Sequence, residues 1–216
     1  DGLCNSCGEV LVEFYISVTL AIFAPFKCYK HPTPGYSSLK KYPSILCGES
    51  EHQSMVTLAV LGILAYPVST LVVTFWSTWY HPRAMAKNDI GILVRCHFLF
   101  NRWTAEFYWF SIFTVTRNFF LAILPMVISQ ENVDICAGLM LIVLVVSIVP
   151  LMWMKPRRTP TMNRLDCYIS FVQIIVLGVG CMSAYGTTIS TPLSSMLAVF
   201  VIIAFLAGGL MFLFKC

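Results

Sequence analysis

Apolar positions in this chain gather into long continuous stretches. Residues 10–26, 55–79, 107–128, 135–154, 167–185 and 195–214 are each mostly apolar, and segments carrying Lys, Arg, Pro and acidic residues separate them. A helix needs roughly 20 such residues to cross the hydrocarbon core of a bilayer. None of the stretches alternates apolar and polar positions as a barrel strand would, and 139–149 is far too continuous for one. Without water to satisfy the backbone, helices are the remaining choice. The pattern predicts an all-α, polytopic membrane protein with about six transmembrane helices in a single module spanning 1–216.

Composition agrees. Of 216 residues, 58% are apolar and 11% are charged, less than half of the roughly 25% charge of a soluble domain. Aromatic residues make up 14% and the mean hydropathy is +0.79. The chain has too much to bury for a disordered protein. A net charge of +4 with no compact basic surface argues against a nucleic-acid binder. The first stretch has no basic residues before it and no small-residue cleavage site after it, so it does not read as a signal peptide. Because the sequence begins with Asp1 and not Met, a fragment of a longer protein is expected.

The basic residues suggest an orientation. The second connection holds Arg83, Lys87, Arg95 and Arg102, the fourth holds Lys155, Arg157, Arg158 and Arg164, and Lys215 follows the last stretch. On the other side stand Lys27, Lys30, Lys40 and Lys41 of the first connection, and the third and fifth connections have none. Nine against four places the even connections and both ends in the cytosol, with the plasma membrane as the expected location. Lys155, Arg157, Arg158 and Arg164 are candidate contacts for anionic headgroups at the inner face, although topogenesis alone explains the same charges.

Cys28 and Cys47 both fall in the first, outer connection, where a disulfide can persist; the alternative is two free thiols near the membrane surface. Cys4 and Cys7 form a C-x-x-C. Zinc would require two further ligands, from Cys96, His97 or Cys216, and a lone C-x-x-C is not enough to expect a metal. Cys96, Cys167 and Cys216 sit near the inner interface, where palmitoylation is conceivable and small buried residues are the simpler reading.

Several short runs form one pattern. They are Phe23-Ala24-Pro25-Phe26-Lys27-Cys28-Tyr29-Lys30-His31-Pro32, Ser37-Ser38-Leu39, Tyr42-Pro43-Ser44-Ile45-Leu46-Cys47 and His52-Gln53-Ser54-Met55. Downstream come Ala65-Tyr66-Pro67, Phe98-Leu99-Phe100-Asn101-Arg102 before Tyr108-Trp109, Arg117-Asn118, and Arg164-Leu165-Asp166 after Pro156-Arg157-Arg158. Over most of its length the chain resembles the C-terminal multi-pass module of large algal and protist surface proteins that carry cysteine-rich EGF-like or ephrin-receptor-like repeats. It is more distantly similar to fungal TRP-like membrane proteins. The resemblance implies the same orientation, with Cys28 and Cys47 outside, and recognition functions residing in repeats that this chain does not contain.

Charges inside a bilayer are functional hypotheses by default, and two fall within the stretches, Glu13 and Arg117. A Glu13–Arg117 pair is expected to pack the first span on the third, with Asp166 as the rival partner; separate snorkelling of each into the headgroups is the plainer alternative. Pro67 interrupts the second span and predicts a kink. Gly180 and Ala184, and Ala204 and Gly208, have the spacing of close helix contacts, which suggests a hairpin of the last two spans. Residues 91–103 mix apolar and basic side chains and read as a short interfacial helix.

No H-E-x-x-H, G-x-S-x-G, Walker loop or G-x-G-x-x-G occurs, so no enzyme and no cofactor are expected. Arg117 stands alone where a voltage sensor has a repeat. The connection between the last two spans, about 186–193, is too short for a pore helix with a carbonyl filter. The expected function is a non-enzymatic membrane module that anchors or signals for a larger surface protein, with the lipid bilayer as its partner. The alternatives are a TRP-like channel or transporter subunit, and a structural subunit of a membrane complex.

Overall fold

The computed structural model describes residues 2–31, 36–88, 90–128 and 132–184. The chain is mostly helical. Four helices are long and apolar enough to cross a membrane: Ser50–Lys87, Phe110–Val127, Ile135–Met154 and Pro160–Gly180. A bent pair, Asn5–Glu13 with Tyr15–Phe26, makes a fifth if it is taken as one span. The expected sixth span, 195–214, lies outside the described residues, as do the hairpin of the last two spans, Ala204, Gly208 and Lys215. The chain forms two compact units, Asp1–Asn101 with Trp109–Val127, and Arg102–Tyr108 with Ile128–Cys216.

In the first unit, the stretch expected as one straight helix is two. Helix α1 (Gly2–Glu13) and helix α2 (Tyr15–Phe23) meet at Phe14 with a bend of 61°. Neither Pro nor Gly stands at the break, so hydropathy gives no warning of it. A short 3₁₀ turn, Ala24–Phe26, follows and leads into a two-stranded hairpin of β1 (Cys28–Lys30) and β2 (Ser37–Leu39), paired antiparallel with Cys28 opposite Leu39.

The second long helix comprises α3 (Ser50–Ile63), a π-helical stretch at Leu64–Val68, and α4 (Ser69–Lys87). Its 38 residues at 1.5 Å each reach roughly 57 Å, well beyond a hydrocarbon core of about 30 Å. Pro67 lacks an N–H and crowds the preceding turn, and the π stretch is the local answer to that loss. The helix closes at Asn88, which takes the left-handed conformation (φ 55°) typical of a helix C-terminus.

The two discontinuities face each other. Tyr15, 1% exposed, donates its hydroxyl to the Pro67 carbonyl at 3.1 Å, and Tyr66 donates to the Leu11 carbonyl at 2.6 Å. A continuous helix would have given that Leu11 carbonyl to the Tyr15 N–H. The rings of Tyr15 and Tyr66 lie 5.8 Å apart. Ser69 Oγ completes the arrangement by donating to the carbonyls of Ala65 (2.6 Å) and Tyr66 (3.2 Å).

Helices α5 (Ile90–Arg95) and α6 (His97–Phe100) occupy the segment expected as one interfacial helix. The segment docks on α1. Asn5 Nδ2 donates to the Val94 carbonyl at 2.9 Å and Asn5 Oδ1 accepts the Phe98 N–H at 3.1 Å. The Phe98 ring lies so close to Gly8 that a Cβ there would meet it at 2.8 Å. Helix α7 (Phe110–Val127) packs on α2 and α4. The buried side of α4 is hydroxylic, with Thr74, Ser77 and Thr78 buried, and Thr78 Oγ1 lies 3.4 Å from the buried Ser111 Oγ of α7. Small hydroxylic residues allow close helix approach and satisfy their own donors through backbone carbonyls, as Thr78 does at Thr74 O, 2.8 Å.

The second unit is built on a hairpin of α8 (Val133–Met154) and α9 (Pro160–Ala184). Helix α8 ends at Lys155 in the left-handed conformation (φ 47°), and Pro156 prevents continuation. Pro160 opens α9 at the first helical position, where a missing N–H costs least. Helix α9 therefore begins seven residues before the expected span at 167.

The reciprocal tyrosine bonds give a first prediction. Tyr15→Phe and Tyr66→Phe each remove one donor to a carbonyl of an interrupted helix and are expected to cost about 1–2 kcal/mol. The double variant should depart from additivity by more than about 0.5 kcal/mol. Thermal unfolding in detergent micelles measures this; unchanged midpoints would show the hydroxyls to be dispensable.

Candidate functional site

Chemistry-bearing side chains gather at two places, one in each unit. In the first unit, Cys28 of β1 and Cys47 of the loop after β2 are joined by a disulfide. The frame around the bond has its own hydrogen bonds: Cys47 N–H to the Ser37 carbonyl (2.8 Å), Leu39 N–H to Ile45 (3.0 Å) and Lys40 N–H to Lys27 (3.0 Å). His31 and Ser38 hydrogen-bond at 2.8 Å, and Lys27 Nζ donates to the Pro125 carbonyl of α7. The hairpin is thereby tied to both α3 and α7. Pro32, Pro34 and Gly35, also expected within the disulfide loop, lie outside the described residues.

His52, in the first turn of α3, stands beside the disulfide. Its Nδ1 accepts the Gly48 N–H at 3.2 Å, and its Nε2 lies 3.0 Å from the Pro25 carbonyl and 3.9 Å from Cys28 Sγ. Among the described residues, Cys28, Cys47 and His52 form a group whose ligand atoms lie within 4.8 Å of one another. Sequence reasoning did not single out His52, although it sits five residues after Cys47 in one of the runs that carry the family resemblance.

In the second unit the loop between α8 and α9 is clasped by the segment 102–104. An antiparallel bridge pairs Trp103 with Arg157, and the Thr104 N–H donates to the Pro156 carbonyl at 2.9 Å. The Arg157 guanidinium lies 4.7 Å over the Trp103 ring, and its Nε donates to Asp166 at 2.5 Å. Arg158 Nε donates to the Trp103 carbonyl at 2.9 Å. Asn163, buried, accepts the Arg157 N–H through Oδ1 at 3.4 Å. A planar guanidinium can stack on a ring and pair with a carboxylate at once, which an ammonium cannot.

The four basic residues expected to contact headgroups, Lys155, Arg157, Arg158 and Arg164, lie in or beside this loop. Arg157 and Arg158 each donate their Nε within the protein, and Lys155, Arg158 and Arg164 are exposed. Asp166, the rival partner in the intramembrane pair, is held by Arg157. Glu13 is exposed and sits at the α1–α2 break. Arg117, in α7, is partly buried and donates to Asn118 Oδ1 from Nε (3.3 Å) and Nη2 (3.1 Å). Of the C-x-x-C group, Cys7 is exposed, and half-buried Cys96 lies 3.4 Å from Ser77 Oγ. The Cys4 side chain and Cys216 are outside the described residues.

Arg157→Lys keeps the charge and loses the stack on Trp103. A loss of about 1 kcal/mol would raise the open population of the loop roughly fivefold. Trypsin cleavage after Arg158 should accelerate by that factor, and an unchanged rate would mean the loop is held by its backbone bonds alone. The chain matches no family model, no curated protein and no solved structure.

Proposed function

We infer that the chain is a non-enzymatic, polytopic membrane module of about six spans that anchors, or signals for, a larger surface protein. The observation that carries the membrane reading is where the apolar side chains go. On α4, Val72, Phe75, Trp76 and Trp79 are each more than half exposed, and on α8 Ile142, Val146, Val149 and Trp153 are as well. The buried residues of α4 are small or hydroxylic, Thr74, Ser77, Thr78 and Ala84, and on α8 Ser147 is buried beside Ala137, Leu144 and Leu151. That distribution is inverted relative to a soluble helix and suits a hydrocarbon surround.

The disulfide supports an outer first connection, since such bonds persist in oxidising compartments. The even connections then face the cytosol, as the basic residues favour. Lys155, Arg158 and Arg164, all exposed, and the half-buried Arg157 are the candidates to meet anionic headgroups. Anchoring for a surface protein rests on the resemblance and on the absence of catalytic motifs from the sequence. Glu13 and Arg117 form the intramembrane pair in this reading. A second reading, a TRP-like channel or transporter subunit, is favoured by one observation: a π stretch in the longest helix lies against a broken neighbour, and such interruptions often mark functional sites.

Glycosylation acceptor sites inserted near Lys41 and near Thr159 test the orientation. Modification at the first and not the second is expected; the reverse pattern overturns it. Arg117→Ala should lower the folded yield several-fold, because it leaves a carboxylate without its partner, and Glu13→Gln in the same chain should restore part of the loss. Purified protein in planar bilayers should carry no current; reproducible unitary currents would replace the anchor reading with the channel.

A further inference from the structure

The group formed by Cys28, Cys47 and His52 can be read as a metal site or as a thiol–disulfide site, and the hydrogen bonds of the imidazole distinguish the two. The Gly48 amide has only a proton to offer, and it meets Nδ1 at 3.2 Å. Nδ1 therefore presents its lone pair, and the neutral ring carries its proton on Nε2. That N–H donates to the Pro25 carbonyl, 3.0 Å away, and the same nitrogen stands 3.9 Å from Cys28 Sγ, close enough to turn toward a thiolate there. A zinc ligand must turn a nitrogen lone pair toward the sulfurs, and its other nitrogen carries the N–H that fixes the ring. Here the assignment is the opposite: the nitrogen near the sulfur carries a proton. This suits a sulfur that becomes an anion.

We propose that Cys28–Cys47 is an exchange-active disulfide, with Cys28 as the leaving sulfur, His52 as the positioning donor to its thiolate, and a small external monothiol as co-reactant. The monothiol's thiolate attacks Cys47 Sγ. A new bond forms between those two sulfurs as the Cys28–Cys47 bond breaks, and the electron pair departs on Cys28 Sγ. The His52 Nε2–H stabilises that thiolate, which then takes a proton from solvent. A second monothiol thiolate attacks the external sulfur of the mixed disulfide and releases Cys47 as a thiolate. Two thiols have then been oxidised to one small disulfide, and the protein disulfide has been reduced to two thiols. Exchange is faster when the leaving thiolate is better stabilised, and among the described residues His52 is the side chain placed to donate to a thiolate at Cys28.

The surroundings make the bond accessible and its loss reversible. Cys28 is exposed and Cys47 half-buried. The bonds from Cys47 N–H to Ser37 O and from Leu39 N–H to Ile45 O do not depend on the disulfide, so they keep the two thiols close for reclosure. The bond also has a mechanical position. It ties the strand leaving α2 to the loop entering α3, and the adjacent Lys27 holds the Pro125 carbonyl of α7. Opening it releases one tie between helices of the first unit.

The test uses the whole chain in lipid nanodiscs, with the disulfide verified by peptide mass spectrometry in every variant. Reduction by excess glutathione is quenched with N-ethylmaleimide, and the peptides containing Cys28 and Cys47 are quantified. Glutathione is expected on Cys47 and maleimide on Cys28 at early times. His52→Phe should slow reduction about tenfold, the value of one hydrogen bond to a charged group. His52→Gln, which keeps an N–H donor, should recover most of the rate. Equal rates in all three proteins overturn the proposal, as does a first adduct on Cys28. Zinc captured one-to-one by the reduced protein and lost in His52→Phe, with exchange rates unchanged, would replace it with a metal site. Should His52→Phe not fold, the position of the adduct and the His52→Gln rate decide.

Discussion

A backbone carbonyl that loses its helical partner away from water must find another donor or destabilise the fold by a kcal/mol or more. The first unit has two such interruptions, the break at Phe14 and the π stretch around Pro67. A tyrosine of the other helix bonds at each, Tyr66 donating to the Leu11 carbonyl left open by the break and Tyr15 adding a donor to the Pro67 carbonyl. This mutual dependence fixes the depth and rotation of α2 against the second long helix. It also fixes where α7 packs, because α7 lies on both α2 and α4.

Polar groups elsewhere follow the same rule of local satisfaction. Thr57, Ser54 and Thr114 return their hydroxyls to the carbonyls of Gln53, Ser50 and Phe110, which lets them sit on helices without a distant partner. Thr74, Ser77 and Thr78 instead bury their small side chains where α4 meets its neighbours. Bulk that would normally fill a core is turned outward, with Trp79 65% and Trp153 85% exposed. A hydrocarbon surround, as proposed, would make that arrangement inexpensive, since lipid tails are as apolar as the side chains they would touch. Close packing of small residues, and the few bonds between helices, are then left to specify the fold.

What could be read from the sequence was the existence of the long helices, because length and hydropathy alone decide it. The stretches at 107–128 and 135–154 became Phe110–Val127 and Val133–Met154, with ends displaced by only a few residues. Pro67 announced an interruption, and the π stretch is there. The break at Phe14 carried no such mark. It depends on a tyrosine 52 residues away, and a window of hydropathy averages across it. Helix α9 starts early because Pro160 and the clasp at Arg157 set its first turn, and neither is an apolar signal. The same clasp explains why four basic residues that look alike in sequence divide in two. Arg157 and Arg158 have the Trp103 ring, the Trp103 carbonyl and Asp166 within reach, although Arg158 stays exposed, and Lys155 and Arg164 are exposed outside these clasp contacts. Cys28 and Cys47 could be paired on paper, but nothing in the spacing put His52 beside them; the turn at Gly48, with φ 97°, brings it there.

The disulfide-closed hairpin and the tyrosine pair act on the same two helices from different levels, and their energies are comparable. Closing a loop of about 20 residues with a disulfide stabilises by roughly 3 kcal/mol, and the two hydroxyl bonds together contribute about 2–3 kcal/mol. With terms of similar size, loss of the disulfide alone leaves the helices joined at Tyr15 and Tyr66 while the hairpin gains freedom. Loss of the tyrosine bonds leaves the hairpin closed over helices whose interruptions have lost their donors. The unit is therefore built to loosen at one end without separating at the other. A chemical event at the disulfide would reach the middle of the helices only through α2 and α3, which run from Cys28 and Cys47 to the paired interruptions. The Tyr15–Tyr66 contact is where such a displacement would be resisted or passed on.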